Sequence, residues 1–538
     1  MFFFEKKNQK TFIRLMAIVF MMGVAPALGA EITIGMAAAP SSADPHYHTL
    51  TPNNELAAHI FATLLKADAR NQLQPDLAES WSLEGDRTWT FALRRGVTFH
   101  DGAPFTAADV VYTLCRVLHP SGPTGSFQTA SRALNSVELL DDHTLKLYMR
   151  APNPGFLADL ARVFIISAHT AGATAPHFDV PSACGDIPAH PASAFDSLAM
   201  ANGTGPYRLT RFTSGDRAVL EANPHPNGPP ARWSRVTLRA LPNAGARLAG
   251  LLAGELDLIE NPPAQDIPTI KAHGGLSTLV IPSNRLMFLQ LDVGRDPSPL
   301  IPGPNRLRDP RVREAISLAI DRRAIASRLL ADMAVPADRY ATPGLFAALT
   351  EAPPRPYDPA RARQLVTEAG ATGMAITLSA TSDRYIGDSA VAQAIGQYLT
   401  RIGLKPTVDV MPQNVFFPRR THRDFSLSLG GWGYSSEGAA NFLRTWLAEP
   451  DAASGLGGSN YGGYASAPFN TALAQALTEM DDARRTTLLQ TAERQALADN
   501  ADIPLYWEAA AWAFKDRYAY AGRPDQETHA DDLSPKGP

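Results

Sequence analysis

The residues that could do chemistry are few and scattered. His46-Tyr47-His48 places two imidazoles on one side of an extended segment, and a third ligand beside them could complete a metal site. The plainer reading is a polar loop. Gly203-Thr204-Gly205-Pro206-Tyr207 is glycine-rich but lacks the strand, GxGxxG and helix setting of a dinucleotide site, so it reads as a tight turn. No H-E-x-x-H, C-x-x-C, Walker A or G-x-S-x-G motif occurs. Nothing assembles an acid, a base and a nucleophile. Aromatic and polar side chains cluster instead in the stretch GWGYSSEGAANFL, residues 431–443, and in the pair Arg384-Tyr385. Trp432 and Tyr434 are suited to stacking on a ligand face, and Arg384 to holding an anion with two parallel hydrogen bonds. The same residues could equally serve as a core anchor and a surface arginine.

The elements that must position these groups follow from periodicity. Trp89, Phe91 and Leu93 share one face of an alternating run, as do Leu145, Leu147 and Met149, and later Val236, Leu238 and Ala240. Thr106 with Asp109 three residues on makes a helix start, followed by a stripe of Val110, Val111, Leu114 and Leu118. Asp309-Pro310 and Asp358-Pro359 repeat one device, an aspartate cap followed by proline at the first helical position. Gly370 marks the end of the second of these helices. The class is mixed α/β. Residues 171–191, rich in Pro, Ala and His, read as a surface excursion, and residues 455–463 as an irregular loop.

Length and leader bound the rest. Lys6, Lys7, Lys10 and Arg14 precede the apolar run LMAIVFMMGV, which is too short to span a bilayer, and small residues follow up to Ala30. Residues 1–30 read as a secretory signal peptide, so the mature protein is expected in the periplasm. No cysteine near the cleavage point offers a lipid anchor. Removing this leader takes the net charge of −4 to about −7, which gives no reason to expect nucleic acid as a partner. Roughly 500 mature residues exceed one core, so two or three subdomains are expected. Cys115 and Cys184 could form one disulfide in an oxidising compartment. A bridge needs Cα atoms within about 7 Å, which spacing alone does not decide.

Several stretches, taken in order, resemble the solute-binding proteins of the peptide/nickel ABC importers, family 5. The most specific is LRRGVTFHDGAPFTAADVVYTLCR, residues 93–116, with its His100-Asp101-Gly102 turn and Thr106 helix start. In that signature His100 and Asp101 read as turn partners rather than ligand contacts. Also matching are residues 203–207, LLAGELDLIE at 251–260, LRDPRVR at 307–313, the 431–443 stretch and Pro504-Leu505-Tyr506-Trp507. The resemblance implies a two-lobed periplasmic-binding-protein clamshell, type II-like (cluster C), with an extra inserted subdomain. Residues 31–65, 201–282 and 500–538 would form one lobe and residues 283–499 the other, with residues 66–200 as the extra subdomain carrying the HDG turn.

It also implies a small ligand, peptide-like or another polar or amphipathic molecule, held between the lobes by a monomeric protein. The ligand would be passed to permease subunits in the inner membrane. No catalytic residue, metal or cofactor is expected. By position, the resemblance adds Tyr47, His48, Thr49 and Thr51 in the loop before the first helix, and Asn460 with Tyr461, to Arg384, Tyr385, Trp432 and Tyr434. Peptide-binding members carry an aspartate three residues after the tryptophan, paired with the ligand's ammonium. Here that position is Ser435, and a hydroxyl cannot neutralise an ammonium. Glu437, two residues on, is the substitute carboxylate, at a different geometry. Ordinary free-amino peptides are therefore in doubt. A metal chelate or porphyrin-like ligand is the alternative, and a periplasmic hydrolase the weakest reading.

Overall fold

A computed structural model describes residues 30–537, apart from 69–71, 120–126, 175, 179–183, 185–186, 189, 353–354, 434–436 and 452–453. All but the last residue of the expected leader, and both Tyr434 and Ser435, lie outside the described residues.

An eleven-stranded sheet runs through both lobes. One half joins Tyr207–Thr213, Arg217–Ala222, Arg235–Ala240, Glu31–Met36 and Leu258–Glu260, and the other joins Leu427–Gly433, Ala375–Thr381 and Lys405–Met411. Two long antiparallel strands, Leu276–Leu291 and Asp502–Lys515, link the halves. Their first ladder pairs Leu276 to Pro282 with Lys515 to Ala509, and the second pairs Leu286 to Gln290 with Trp507 to Asp502. The register breaks between Pro282 and Leu286. Proline cannot donate to a ladder, so it belongs at such a break. There the Ser283 hydroxyl donates to the Glu508 carbonyl at 2.7 Å, and the Asn284 amide to the Pro524 carbonyl at 2.7 Å. The ladder joining the two halves is interrupted here and again between Met287 and Phe288. Each half has its own core, one around Ile34, Trp233 and Leu238, the other around Leu289, Ile316 and Ile395.

The extra subdomain is a separate four-stranded sheet, Ala78–Glu84, Thr88–Leu93, Thr144–Met149 and Leu134–Asp141 in that order. Phe91, Leu93, Leu145, Leu147 and Met149 face its core. The Ala107–Arg116 helix carries the expected capping box, with the Thr106 amide donating to Asp109 at 2.8 Å. Asp309 and Asp358 cap their helices through the amides of Arg311 and Arg361. His100 is buried, and it meets the amide of Gly203 and the carbonyl of Gly205 through its two ring nitrogens. The HDG turn therefore docks on the GTGPY turn. A Cβ at Gly205 would lie 2.7 Å from the Ile60 carbonyl oxygen, so the turn has no room for a side chain there.

Residues 171–191 correct the expectation of a surface excursion. Ala171, Phe178 and Cys184 are buried, the Val137 amide donates to the Phe178 carbonyl, and Cys184 is bonded to Cys115 with Cα atoms 5.5 Å apart. The bridge closes a loop across a sequence separation of 69. Removing it by Cys115→Ala with Cys184→Ala is expected to cost about 2–4 kcal/mol, mainly by freeing the unfolded chain. Denaturant unfolding with and without reductant measures this: reductant should shift the wild-type midpoint and leave the variant unchanged.

Candidate functional site

The second lobe presents a wall of small residues backed by aromatics. A Cβ at Gly431 would lie 2.5 Å from the Tyr385 ring, so glycine lets that ring lie flat on the Leu427–Gly433 strand. The Tyr385 hydroxyl donates to the Gly431 carbonyl at 3.2 Å. The loop bearing Tyr385 is tied down. Asp388 accepts the amides of Arg384 and Tyr385 at 3.0 and 3.2 Å and the Thr381 hydroxyl at 2.7 Å, while Glu508 accepts the Ile386 amide at 2.9 Å. The Arg384 guanidinium lies 5.2 Å from the centre of the Tyr385 ring. Trp432 donates its indole N–H to Asn441 at 2.6 Å and packs edge-on against Trp446. It stays half-buried, as an aromatic on a cleft wall does.

At the break in the ladder, Arg285 donates to Gln526 at 2.6 Å and lies 3.6 Å from Glu508. Burial lowers its pKa, and the neighbouring Arg384 charge adds to this. Beyond it the chain from Arg523 to His529 lines the first lobe. Arg523 pairs with Asp525 at 2.6 Å and His529 with Glu527 at 3.1 Å. Burial works against the Glu527 charge, yet the hydrogen bond from His529 holds its pKa below the usual carboxylate range. Beneath them Glu55 accepts the Thr528 amide at 2.8 Å, and Glu260 accepts the Ala37 amide at 2.8 Å. Burial raises both of these carboxyl groups.

The extra subdomain reaches the second lobe through residues 154–162. Arg444 lies 2.7 Å from Asp159 and 2.9 Å from Glu437. Arg485 lies 3.9 Å from Glu437 and donates to the Pro154 carbonyl at 3.5 Å. A Cβ on Gly155 would sit 2.7 Å from the Glu437 carboxylate. An ion cluster therefore joins the extra subdomain to the second lobe.

The expected site residues fall into separate groups. Arg384, Tyr385 and Trp432 share the second-lobe wall. The Tyr47 and His48 rings lie 4.7 Å apart and tilted, His48 meets the Ser41 hydroxyl at 3.0 Å, and Thr49 and Thr51 are half-buried beside them. Among the described residues, no hydrogen bond, ion pair or ring contact joins that loop to the second-lobe residues. Glu437 is buried, with Arg444 at 2.9 Å. Asn460 is buried too, bonding the carbonyls of Ala448 and Tyr464 at 2.9 Å each, so it pins a loop. Tyr461 packs against Trp446 and Arg420 around a cavity of 10 Å³ with Gln290 and Asp292. His46 is buried. Its ring is enclosed by Arg116 and the Phe164 carbonyl, and no three His, Cys, Asp or Glu side chains gather to hold a metal among the described residues.

Sequence reasoning missed Asp159, Arg162, Arg285, Arg444 and Glu508. The available signal was a charge inside an apolar run, as in PGFLADLARVFII, residues 154–166, and LYWEAAAWAF, residues 505–514. A charge is retained in such a run only when it is paired or functional.

The comparisons agree with this architecture. The model of the bacterial extracellular solute-binding proteins, family 5 Middle, matches residues 72–454. A di/tripeptide-binding protein 2 of Pseudomonas aeruginosa is 26% identical over 482 residues, covering 85% of this chain and 86% of the relative. A glutathione-binding protein of Salmonella choleraesuis is 27% identical over 499 residues, covering 90% of each. The solved ABC transporter-associated periplasmic binding protein DppA from Helicobacter pylori, in complex with peptide STSA, superposes with a TM-score of 0.78 at 22% identity. It covers 95% of this chain and 99% of that one, and shows the fold. The chain belongs to the family 5 bacterial extracellular solute-binding proteins.

Proposed function

We propose that the protein captures a small peptide-like or other polar solute between its lobes in the periplasm. It then presents the closed form, as a monomer, to the membrane subunits of an ABC importer. The observation that carries this reading is the joint between the lobes: two strands with an interrupted ladder connect two separate cores, and an ion cluster links the extra subdomain to the second lobe. A ligand that touches both parts favours the closed form by its differential contacts alone. Arg384, Tyr385 and Trp432 serve as second-lobe contacts and Tyr47 and His48 as first-lobe contacts. Among the described residues no helix is long and apolar enough to cross a membrane.

The test is thermal unfolding of the mature protein against glutathione, trialanine, sugars and metal chelates. A ligand at about 100 times its dissociation constant adds about 2.7 kcal/mol, read as a raised midpoint. A midpoint raised by no compound in the set, or a compound consumed over time, overturns the reading. A chelate that loses its effect when stripped of metal would favour the chelate alternative.

A further inference from the structure

The C-terminal segment reaches from one half of the molecule to the other. Thr528 and Ala530 are anchored on the first half. The Thr528 amide donates to Glu55 at 2.8 Å, the Ala530 amide to the His59 ring at 3.0 Å, and the Trp233 indole to the Ala530 carbonyl at 2.9 Å. A few residues earlier the same segment meets the break in the long ladder. There the Pro524 carbonyl accepts the Asn284 amide at 2.7 Å, and the Gln526 side-chain carbonyl accepts Arg285 Nε at 2.6 Å.

Arg285 belongs by register to the second half. It lies beyond the break that follows Pro282, and it pairs with Gly433 at the end of the Leu427–Gly433 strand. A Cβ on Gly433 would lie 3.6 Å from Nη2, 3.7 Å from Cζ and 3.8 Å from Nη1 of Arg285, so the planar guanidinium packs over that backbone. The Gln526–Arg285 hydrogen bond is therefore a side-chain tie that crosses the joint. Gln526 has a φ of 69°, in the left-handed region that residues other than glycine seldom adopt. Such a backbone persists only where its surroundings over-determine it. Glycine would fit there more easily but offers no side-chain acceptor.

Resting on the reading that two lobes close on a ligand, we infer that Gln526 and Arg285 are positioning residues for capture. Their hydrogen bond favours the lobe angle seen here over angles that separate the two side chains. A hydrogen bond to a charged group shifts such a balance by roughly tenfold to a hundredfold.

The test is a pulsed dipolar distance measurement, without ligand, between spin labels on Leu252→Cys in the first half and Val415→Cys in the second. Both positions are exposed, and the disulfide occupies both natural cysteines, so the labels attach only there. Gln526→Met keeps the side-chain length and removes the acceptor, and should broaden the distance distribution and populate separations rare in the wild type. Gln526→Glu keeps the acceptor and should retain the wild-type distribution. Adding Arg285→Gln to Gln526→Met should broaden it no further. The unfolding midpoint of Gln526→Met should stay at the wild-type value, because each half has its own core. A Gln526→Met distribution that superposes on the wild-type one, or equal broadening in Gln526→Glu, overturns the tie. Either result leaves the capture reading standing, since that reading fails only in the thermal set, where no compound raises the midpoint.

Discussion

Arg444→Met should weaken ligand binding by about two orders of magnitude while leaving the lobes folded. Burial works against the Arg444 charge, but Asp159 and then Glu437 hold its proton more firmly than usual. Closing the wild-type protein brings these charges together. The attraction roughly offsets the water they lose, so the intact cluster adds little net energy. Closing the variant buries Asp159 and Glu437 with the close Arg444 contacts gone and only the longer Arg485 contact, 3.9 Å from Glu437, to offset them. Removing one partner of a buried pair costs about 3–5 kcal/mol. That penalty falls on the closed form, because open lobes leave the carboxylates in water. Calorimetry should read the weaker affinity, and solution scattering should find the variant more extended than wild type at equal ligand. Adding Asp159→Asn should restore part of the loss. Unchanged affinity with unchanged scattering would mean that the cluster has no part in closure.

Arg116→Met should produce the largest loss of folding stability, about 3–5 kcal/mol, by stranding a buried carboxylate. Arg116 and Asp44 are each 1% exposed, with contacts of 2.6 and 2.8 Å. Arg116 also meets the His46 ring at 2.9 Å and the His190 carbonyl at 3.2 Å, and lies over Phe195. One side chain therefore joins the HDG-signature helix, the loop leading to Tyr47 and the residues beyond the disulfide. Burial alone would raise the Asp44 pKa, but Arg116 holds it below the ordinary value. A depressed carboxyl pKa contributes stability that is present above the unfolded value and lost as pH falls through the folded one. The Arg116 variant should therefore lose the acid-side part of this dependence as well as its overall stability. Denaturant unfolding at pH 7 and pH 3 measures both. A variant within 1 kcal/mol of wild type would contradict the account.

Local devices were legible in the sequence because their partners are neighbours. Thr106 with Asp109, and the Asp309 and Asp358 caps, need only three residues of chain. The alternating runs of the extra subdomain were legible because a two-sided sheet imposes period two. Distant pairings were not. His100 docks on Gly205 across 105 residues, and Arg444 reaches Asp159 across 285. Residues 171–191 read as surface because their anchors, Phe178 against Val137 and Cys184 against Cys115, leave no periodic trace. Arg384, Tyr385 and Trp432 stand out by type and position, while their placement on one wall depends on the pairing of the strands. The Arg444 partner of Glu437 was not legible, because a carboxylate's partner is a property of the folded chain, and Arg162 lies in the turn after the Phe156–Leu160 helix within an apolar run.

The most direct test of the central claim, capture by closure, is solution scattering of the wild-type mature protein titrated with the compound that most raises its unfolding midpoint. The account predicts a contraction that saturates at one ligand per chain, with the ligand recovered unchanged. Binding without contraction, or a ligand converted to product, would contradict it.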